Sequence, residues 1–154
     1  MNICRANAGD MDRIKDLLNQ VLMVHHNGRP DIFKANCRKY TDDELAELIK
    51  DDTRPIFVAE DGEVVGYAFC IIQQYIDNNI LTDIKTLYID DLCVDENVRG
   101  KHIGTLLYNY VKNYARETGC YNLTLNVWEC NESAKKFYEK QGLTAQKTNL
   151  ETIL

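Results

Sequence analysis

No stretch of this sequence approaches the roughly 20 consecutive apolar residues that a membrane-spanning helix needs. Residues 1–10 also lack the apolar segment of a signal peptide. The expectation is a cytoplasmic protein without membrane association. Proline occurs twice and glycine eight times, which excludes collagen-like and low-complexity chains. An excess of basic residues is lacking too. Twenty-four Asp and Glu oppose 18 Lys and Arg, for a formal net charge of −6. A nucleic-acid footprint is basic, so no nucleic-acid partner is expected, and a cationic partner is mildly favoured. The six cysteines (Cys4, Cys37, Cys70, Cys93, Cys120 and Cys130) include no C-x-x-C pair. The adjacent His25 and His26 face apart on a regular element, toward solvent, with no third ligand in sight. No metal site is expected, and without export the thiols are expected to stay reduced.

What is present is ordinary for a soluble protein: 154 residues, 45% apolar and 27% charged. That length predicts one domain over residues 1–154. Asn2 to Arg5 reads as a short strand. Asp10 is placed to cap a helix over 11–23, with Ile14, Leu17, Leu18, Val21 and Leu22 at helical spacing. Residues 25–40 lack periodicity and hold local basic charge in Arg29, Lys34, Arg38 and Lys39. Thr41 and Glu44 form a capping box ahead of Leu45, Leu48 and Ile49.

From Pro55 the period changes. Residues 56–59 read as a buried strand, Asp61-Gly62 as a hairpin turn, 63–73 as a second strand and 75–84 as a polar loop. A long strand over 87–94 follows. A helix carrying Leu106, Leu107, Tyr110, Val111 and Tyr114 is ended by Gly119. Residues 121–128 alternate as a strand, Asn131 caps a helix with Ala134, Phe137 and Tyr138, and a last strand fits 144–153. This order predicts a mixed α/β sheet with helices on both faces.

Between the strand ending at Val94 and the next helix runs Arg99-Gly-Lys-His-Ile-Gly-Thr105. A loop at a helix N-terminus offers unpaired N–H groups and the positive end of the helix dipole. Small residues let the backbone approach a diphosphate, and Arg99 and Lys101 add positive charge. The run is neither G-x-G-x-x-G nor G-x-x-x-x-G-K-[ST]. On physics alone it is an anion site suited to a nucleotide diphosphate, or else an ordinary glycine turn.

A second segment, Asn131-Glu-Ser-Ala-Lys-Lys-Phe-Tyr-Glu-Lys-Gln-Gly142, follows one helix and one strand later. Together the two motifs resemble those of the Gcn5-related N-acetyltransferases, the GNAT superfamily. The resemblance covers most of the chain. It implies a mostly antiparallel central sheet, splayed in its middle, and acetyl-CoA as acetyl donor. Leu92, Cys93, Val94, Arg99, Gly100, Lys101, His102, Ile103, Gly104, Thr105 and Asn131 would bind that donor, with the strand around Leu92 to Val94 lying along its pantetheine. His102 stands where the family usually has Gly, a replacement tolerated if its φ stays negative.

The resemblance further implies that Tyr138 protonates the leaving thiolate and that a backbone N–H near Leu92 stabilises the oxyanion. Tyr138 would otherwise be a core tyrosine. Asp90, at a position that is acidic in diamine acetyltransferases, is the first choice for the base, with Asp91, Glu129 or a water relay as alternatives. Strict alternation puts Asp90 on the face of Leu92 and Val94, so at most one of the two aspartates enters the cleft. Tyr40, Tyr75 and Tyr88 are candidate pocket residues. The implied function is acetyl transfer to a primary amine by direct attack in a ternary complex, favouring a small-molecule amine or polyamine. The alternatives are a protein N-terminal or lysine acetyltransferase of the ribosomal-protein-modifying type, or a non-catalytic acyl-CoA-binding module. A homodimer is a further expectation.

Overall fold

The computed structural model describes residues 1–98 and 100–154. Its elements are β1 (Asn2–Arg5), α1 (Met11–Gly28), α2 (Asp42–Lys50), β2 (Ile56–Glu60), β3 (Val64–Gln74), β4 (Lys85–Val94), α3 (Ile103–Glu117), β5 (Asn122–Leu125) and α4 (Glu132–Lys140). The five strands form one sheet in the order β1-β2-β3-β4-β5. The first three pairings are antiparallel and β4–β5 is parallel. The expected mixed, mostly antiparallel sheet is present.

Two apolar layers clothe it. Leu107, Val111 and Ala115, four residues apart on α3, pack with Phe57, Ala68, Leu87 and Ile89 on one face. Ile14, Leu17 and Leu18 of α1 and Leu45 of α2 pack with Ile56, Val58, Tyr67 and Phe69 on the other. Each fully buried leucine of this kind contributes roughly 1.5–3 kcal/mol by leaving water.

Several local expectations change. Asp10 stands at the N-cap of α1 as expected but makes no side-chain cap hydrogen bond there; the side-chain capping comes from Asn7 one turn earlier. The Asn7 side chain accepts from the Gly9 N–H, and the Asp10 carboxylate accepts from the Asn7 N–H at 2.8 Å, making a capping box on a short 3-10 turn that runs into α1. That helix also continues past Met23 to Gly28. Its last turn is covered by tertiary contacts: the ring of His25 lies 5.0 Å from Phe33 and 6.4 Å from Trp128, and His26 Nδ1 is 2.7 Å from the Phe33 carbonyl. The two histidines therefore face the 29–33 segment and are half-buried, not solvent-facing. β5 stops at Leu125. Residues 144–153 form no strand and join no ladder among the described residues; Glu151 of this segment instead pairs with Arg29.

A further correction concerns β4. In its pairing with β3, Asp91 faces Phe69 while Ile89 faces Cys70, so Asp90 is an extra, bulged residue. The bulge inverts the alternation. Leu92 and Val94 pack toward the α3 face with Leu87 and Ile89, and Asp91 falls on the α1 face with Cys93. Both aspartates then reach the same side, where each lies within 4.0 Å of Lys39.

Just beyond β4, the buried Asp95 ties its end to α1. Its carboxylate accepts from Arg13 at 2.7 Å, Gln20 at 3.4 Å, and the Asn97 backbone and side chain at 3.0 Å each. The Asn97 backbone N–H, then Arg13, Gln20 and the Asn97 side chain, hold the Asp95 carboxyl down to about 2, against the opposing effect of burial. A carboxylate whose pKa is lower in the folded state stabilises the fold above its unfolded pKa and loses that contribution as pH falls through the folded value. Asp95→Asn is expected to cost about 2 kcal/mol at neutral pH. In urea titrations across pH, the difference from the parent protein should shrink from about pH 5 toward about pH 2.

Candidate active site

β4 and β5 run side by side only from Thr86–Asn122 to Ile89–Leu125. Beyond that point β4 continues through Asp90 to Val94, while the chain after Leu125 leaves the sheet. The parting of the two strands after Ile89 and Leu125 defines the candidate cleft. The N-terminus of α3 lies at one end, and Asp90, Asp91, Lys39 and Tyr138 gather at the other.

At the α3 end, Gly100 has φ +89° and His102 has φ +60°, ψ +16°. The negative φ expected of His102 is not adopted. The turn into α3 needs a left-handed residue there, which is the physical reason glycine suits that position. His102 makes no side-chain cap hydrogen bond, and the first turn of α3 carries no acidic residue. The helix dipole and first-turn amides are thus left for an anion. Gly104 sits tightly: a Cβ there would lie 3.4 Å from the Phe137 ring and 3.6 Å from Val94 Cγ2. This contact lets α3 and α4 converge beside β4. Gln141 of the α4 C-cap donates to Thr105 Oγ1 at 3.2 Å, and Asn131 caps α4 by accepting from the Ala134 N–H at 3.2 Å. Lys101 is exposed, and Ile103 is a core residue. Cys93 is buried, with Sγ 3.7 Å from the Leu17 carbonyl. Arg99 lies outside the described residues.

At the other end, the Tyr67 hydroxyl donates to Asp91 at 2.8 Å. Lys39 Nζ lies 3.0 Å from Asp90 and 3.9 Å from Asp91. The Asp91 side chain is 11% exposed and that of Asp90 27%. Burial pushes the Asp91 carboxyl above its ordinary range. The charge of Lys39, the Tyr67 hydroxyl and the Leu92 amide work against that rise, and Asp90 adds to it. Burial, the charge of Asp91 and the neighbouring Tyr108 and Cys93 push the Tyr138 phenol well up, so it keeps its proton at neutral pH. For Lys39, burial pulls the ammonium down, but Asp91, Tyr40 and Asp90 outweigh it, and the net shift is upward.

Tyr40 stacks on Phe69 with centroids 5.8 Å apart. Tyr88 accepts from Asn126 at 3.2 Å. Tyr75 is exposed in the β3–β4 loop and stays apart from the site. Glu129 is 92% exposed and paired with Lys135 at 2.6 Å, also outside the carboxylate cluster. Sequence reading did not single out Lys39 or Tyr67. Lys39 stood in a basic cluster with no visible partner, and Tyr67 read as one aromatic among strand residues.

The chain was compared with known proteins. A family model described as "Acetyltransferase (GNAT) family" matches residues 21–143. A probable glucosamine 6-phosphate N-acetyltransferase of Drosophila melanogaster is 27% identical over 137 residues, which are 88% of this chain and 57% of that protein. The chain thus spans less than two thirds of that relative. Among solved structures, a mutant form of a Bacillus halodurans protein is 29% identical with a TM-score of 0.95, covering 100% of this chain and 99% of the other. An aminoglycoside acetyltransferase from an uncultured soil metagenomic sample, solved with sisomicin, shares the fold at 19% identity with a TM-score of 0.76, covering 99% of this chain and 94% of the other.

A left-handed conformation costs a non-glycine residue on the order of 1–2 kcal/mol. His102→Gly is therefore expected to stabilise the fold by about 1 kcal/mol, offset in part by the greater freedom of glycine in the unfolded chain. Urea denaturation of the two proteins checks this, and an unchanged or lowered midpoint would contradict it.

Proposed function

Since the chain belongs to the acetyltransferase (GNAT) family, we propose that residues 1–154 form one acetyl-CoA-dependent N-acetyltransferase domain that acetylates a primary amine, a small molecule in preference to a protein. The observation that carries this reading is the separation of β4 from β5 after Ile89 and Leu125, with an uncapped helix N-terminus at one end and a carboxylate pair with a protonated phenol at the other. The local fit is good. Gly100, Lys101 and the first turn of α3 present backbone donors and a positive charge for a diphosphate, and Gly104 lets α3 pack closely on Phe137 and Val94. Leu92, Cys93, Val94, His102, Ile103, Thr105 and Asn131 complete the proposed donor site, with Arg99.

Acetyl-CoA supplies an acetyl group on a thioester, whose carbonyl carbon accepts the amine and whose thiolate leaves. The protein's part is positioning and proton movement. Asp90 and Asp91 receive the acceptor ammonium. Asp91, raised toward neutrality by burial, suits the removal of its proton better than the more exposed Asp90. Tyr138 holds a proton at its phenol oxygen for the thiolate. A backbone amide near Leu92 would receive the oxyanion, although the Leu92 amide itself already bonds the Asp91 carboxylate. The name of the Drosophila relative supports a small-molecule acceptor. A cytoplasmic setting fits a protein whose six cysteines are free thiols.

The reading extends to a homodimer. Residues 144–153 are patterned as a strand, Leu150 and Ile153 are exposed, and among the described residues β5 pairs with β4 alone. Light scattering on the eluting full chain is expected to give twice the monomer mass.

Acetyl-CoA is expected to raise the melting temperature, and thiol release across an amine panel is expected to identify the acceptor. Binding without release would instead support an acyl-CoA-binding module. Tyr138→Phe is expected to lower turnover by about 10²-fold while the acetyl-CoA shift persists. Unchanged turnover would remove Tyr138 as the acid.

A further inference from the structure

The carboxylates proposed to receive the acceptor ammonium already hold one. Lys39 Nζ is 3.0 Å from Asp90 and 3.9 Å from Asp91. A lysine side chain is a primary ammonium on an alkyl stem, the same functional group as the acceptor. Both aspartates reach it because the bulge at Asp90 turns them to one side of β4.

Lys39 is held lightly. Its segment, residues 34–40, makes no backbone–backbone hydrogen bond among the described residues. The hold comes from the two aspartates, the stacking of Tyr40 on Phe69 and the ion pair of Arg38 with Asp42. The Lys39 side chain is 39% exposed, against 11% for Asp91. A cleft of about 400 Å³ lies between α1 and this segment, lined by Lys15, Asp16, Gln20, Lys39 and Tyr40. A side chain leaving the aspartates has room there and a carboxylate, Asp16, on its wall. One ammonium against two carboxylates also leaves negative charge to attract another cation.

We propose that Lys39 is a specificity-determining residue that occupies the acceptor-ammonium subsite in the resting protein and is displaced by the acceptor. The proposal rests on the N-acetyltransferase reading and adds the identity of the group the substrate must outcompete. The site selects amines that pair with Asp90 and Asp91 better than a tethered lysine does. Weakly competing amines are rejected although the carboxylates would otherwise accept any cation.

The test uses the full chain, the Lys39→Gln and Lys39→Arg variants, and a panel of spermidine, glucosamine 6-phosphate and simple alkylamines. At saturating acetyl-CoA, Lys39→Gln is expected to lower the KM of the acceptor about fivefold, the scale of one partly exposed ion pair. The change is expected in KM rather than as a rise in kcat, and Lys39→Arg should restore the parent KM. A KM that rises or stays constant in Lys39→Gln would overturn the proposal and leave Lys39 as a positioning residue for its segment. A second readout does not depend on turnover. Lys39 of the parent protein is labelled with an amine-reactive acetylating reagent, without acetyl-CoA, and mapped by mass spectrometry. Lys39 should react more slowly than the exposed Lys101, and acceptor amine, which itself consumes part of the reagent, should raise Lys39 labelling relative to Lys101 in the same sample. No rise with any panel amine would overturn the displacement. A rise without thiol release would uphold the displacement and defeat the acetyltransferase reading instead.

Discussion

The parting of β4 from β5 is the constraint on which the rest of this structure depends. The two strands share a parallel ladder through Ile89 and Leu125 and no further. β5 is only four residues long, and the chain beyond it turns away toward α4. A parallel sheet interior is normally covered on both faces and closed edge to edge. Here β4 loses its β5 partner after Ile89 while it stays paired with β3 through Val94, and the N-terminus of α3 follows that stretch. Asp95 keeps the far end of β4 in place by bonding to Arg13 and Gln20 of α1. Without that anchor the strand that lines the cleft would be held from one side only.

The bulge at Asp90 decides what the cleft contains. An unbroken strand would send Asp90 and Asp91 to opposite faces. The extra residue brings both toward Lys39 and puts Asp91 beside Tyr67. Two carboxylates, one ammonium and two phenols then share a poorly hydrated space, where each perturbs the others. The anion-binding elements stand apart at the α3 end. In the proposed function, a donor carrying a diphosphate and an acceptor carrying an ammonium would thereby be drawn to different ends of one cleft. This arrangement gives the net charge of −6 a local structure that the total conceals.

Much of the fold was legible because its signals are local. The Thr41–Glu44 capping box, the glycine at 62 and the apolar positions Leu107, Val111 and Tyr114 of α3 each rest on a few neighbouring residues, and each is present. The last turn of α1 was not legible. Its residues lack an apolar period, and their covering comes from Phe33 of the following segment and from Trp128, distant in sequence. The pattern at 144–153 is that of a strand, yet a strand exists only beside a partner. In the site, the loop, Asn131 and Tyr138 could be named from two motifs. The grouping of Lys39, Asp90, Asp91 and Tyr67 could not, because one bulged residue reverses the alternation on which any such assignment relies.

The sequence by itself determined most of the elements and their order, the family resemblance and the loop that offers donors to an anion, since these follow from side-chain period, caps and short motifs. Only the tertiary structure decided where β4 leaves β5, which aspartate is the more buried, that His102 takes a left-handed conformation and that Lys39 faces the carboxylates. Those facts depend on strand register and on contacts between segments some 50 residues apart, as in the pairing of Lys39 with Asp90. Burial, and with it the proton affinity of Asp91 and Tyr138, is a property of the packed chain rather than of any residue's neighbours in sequence.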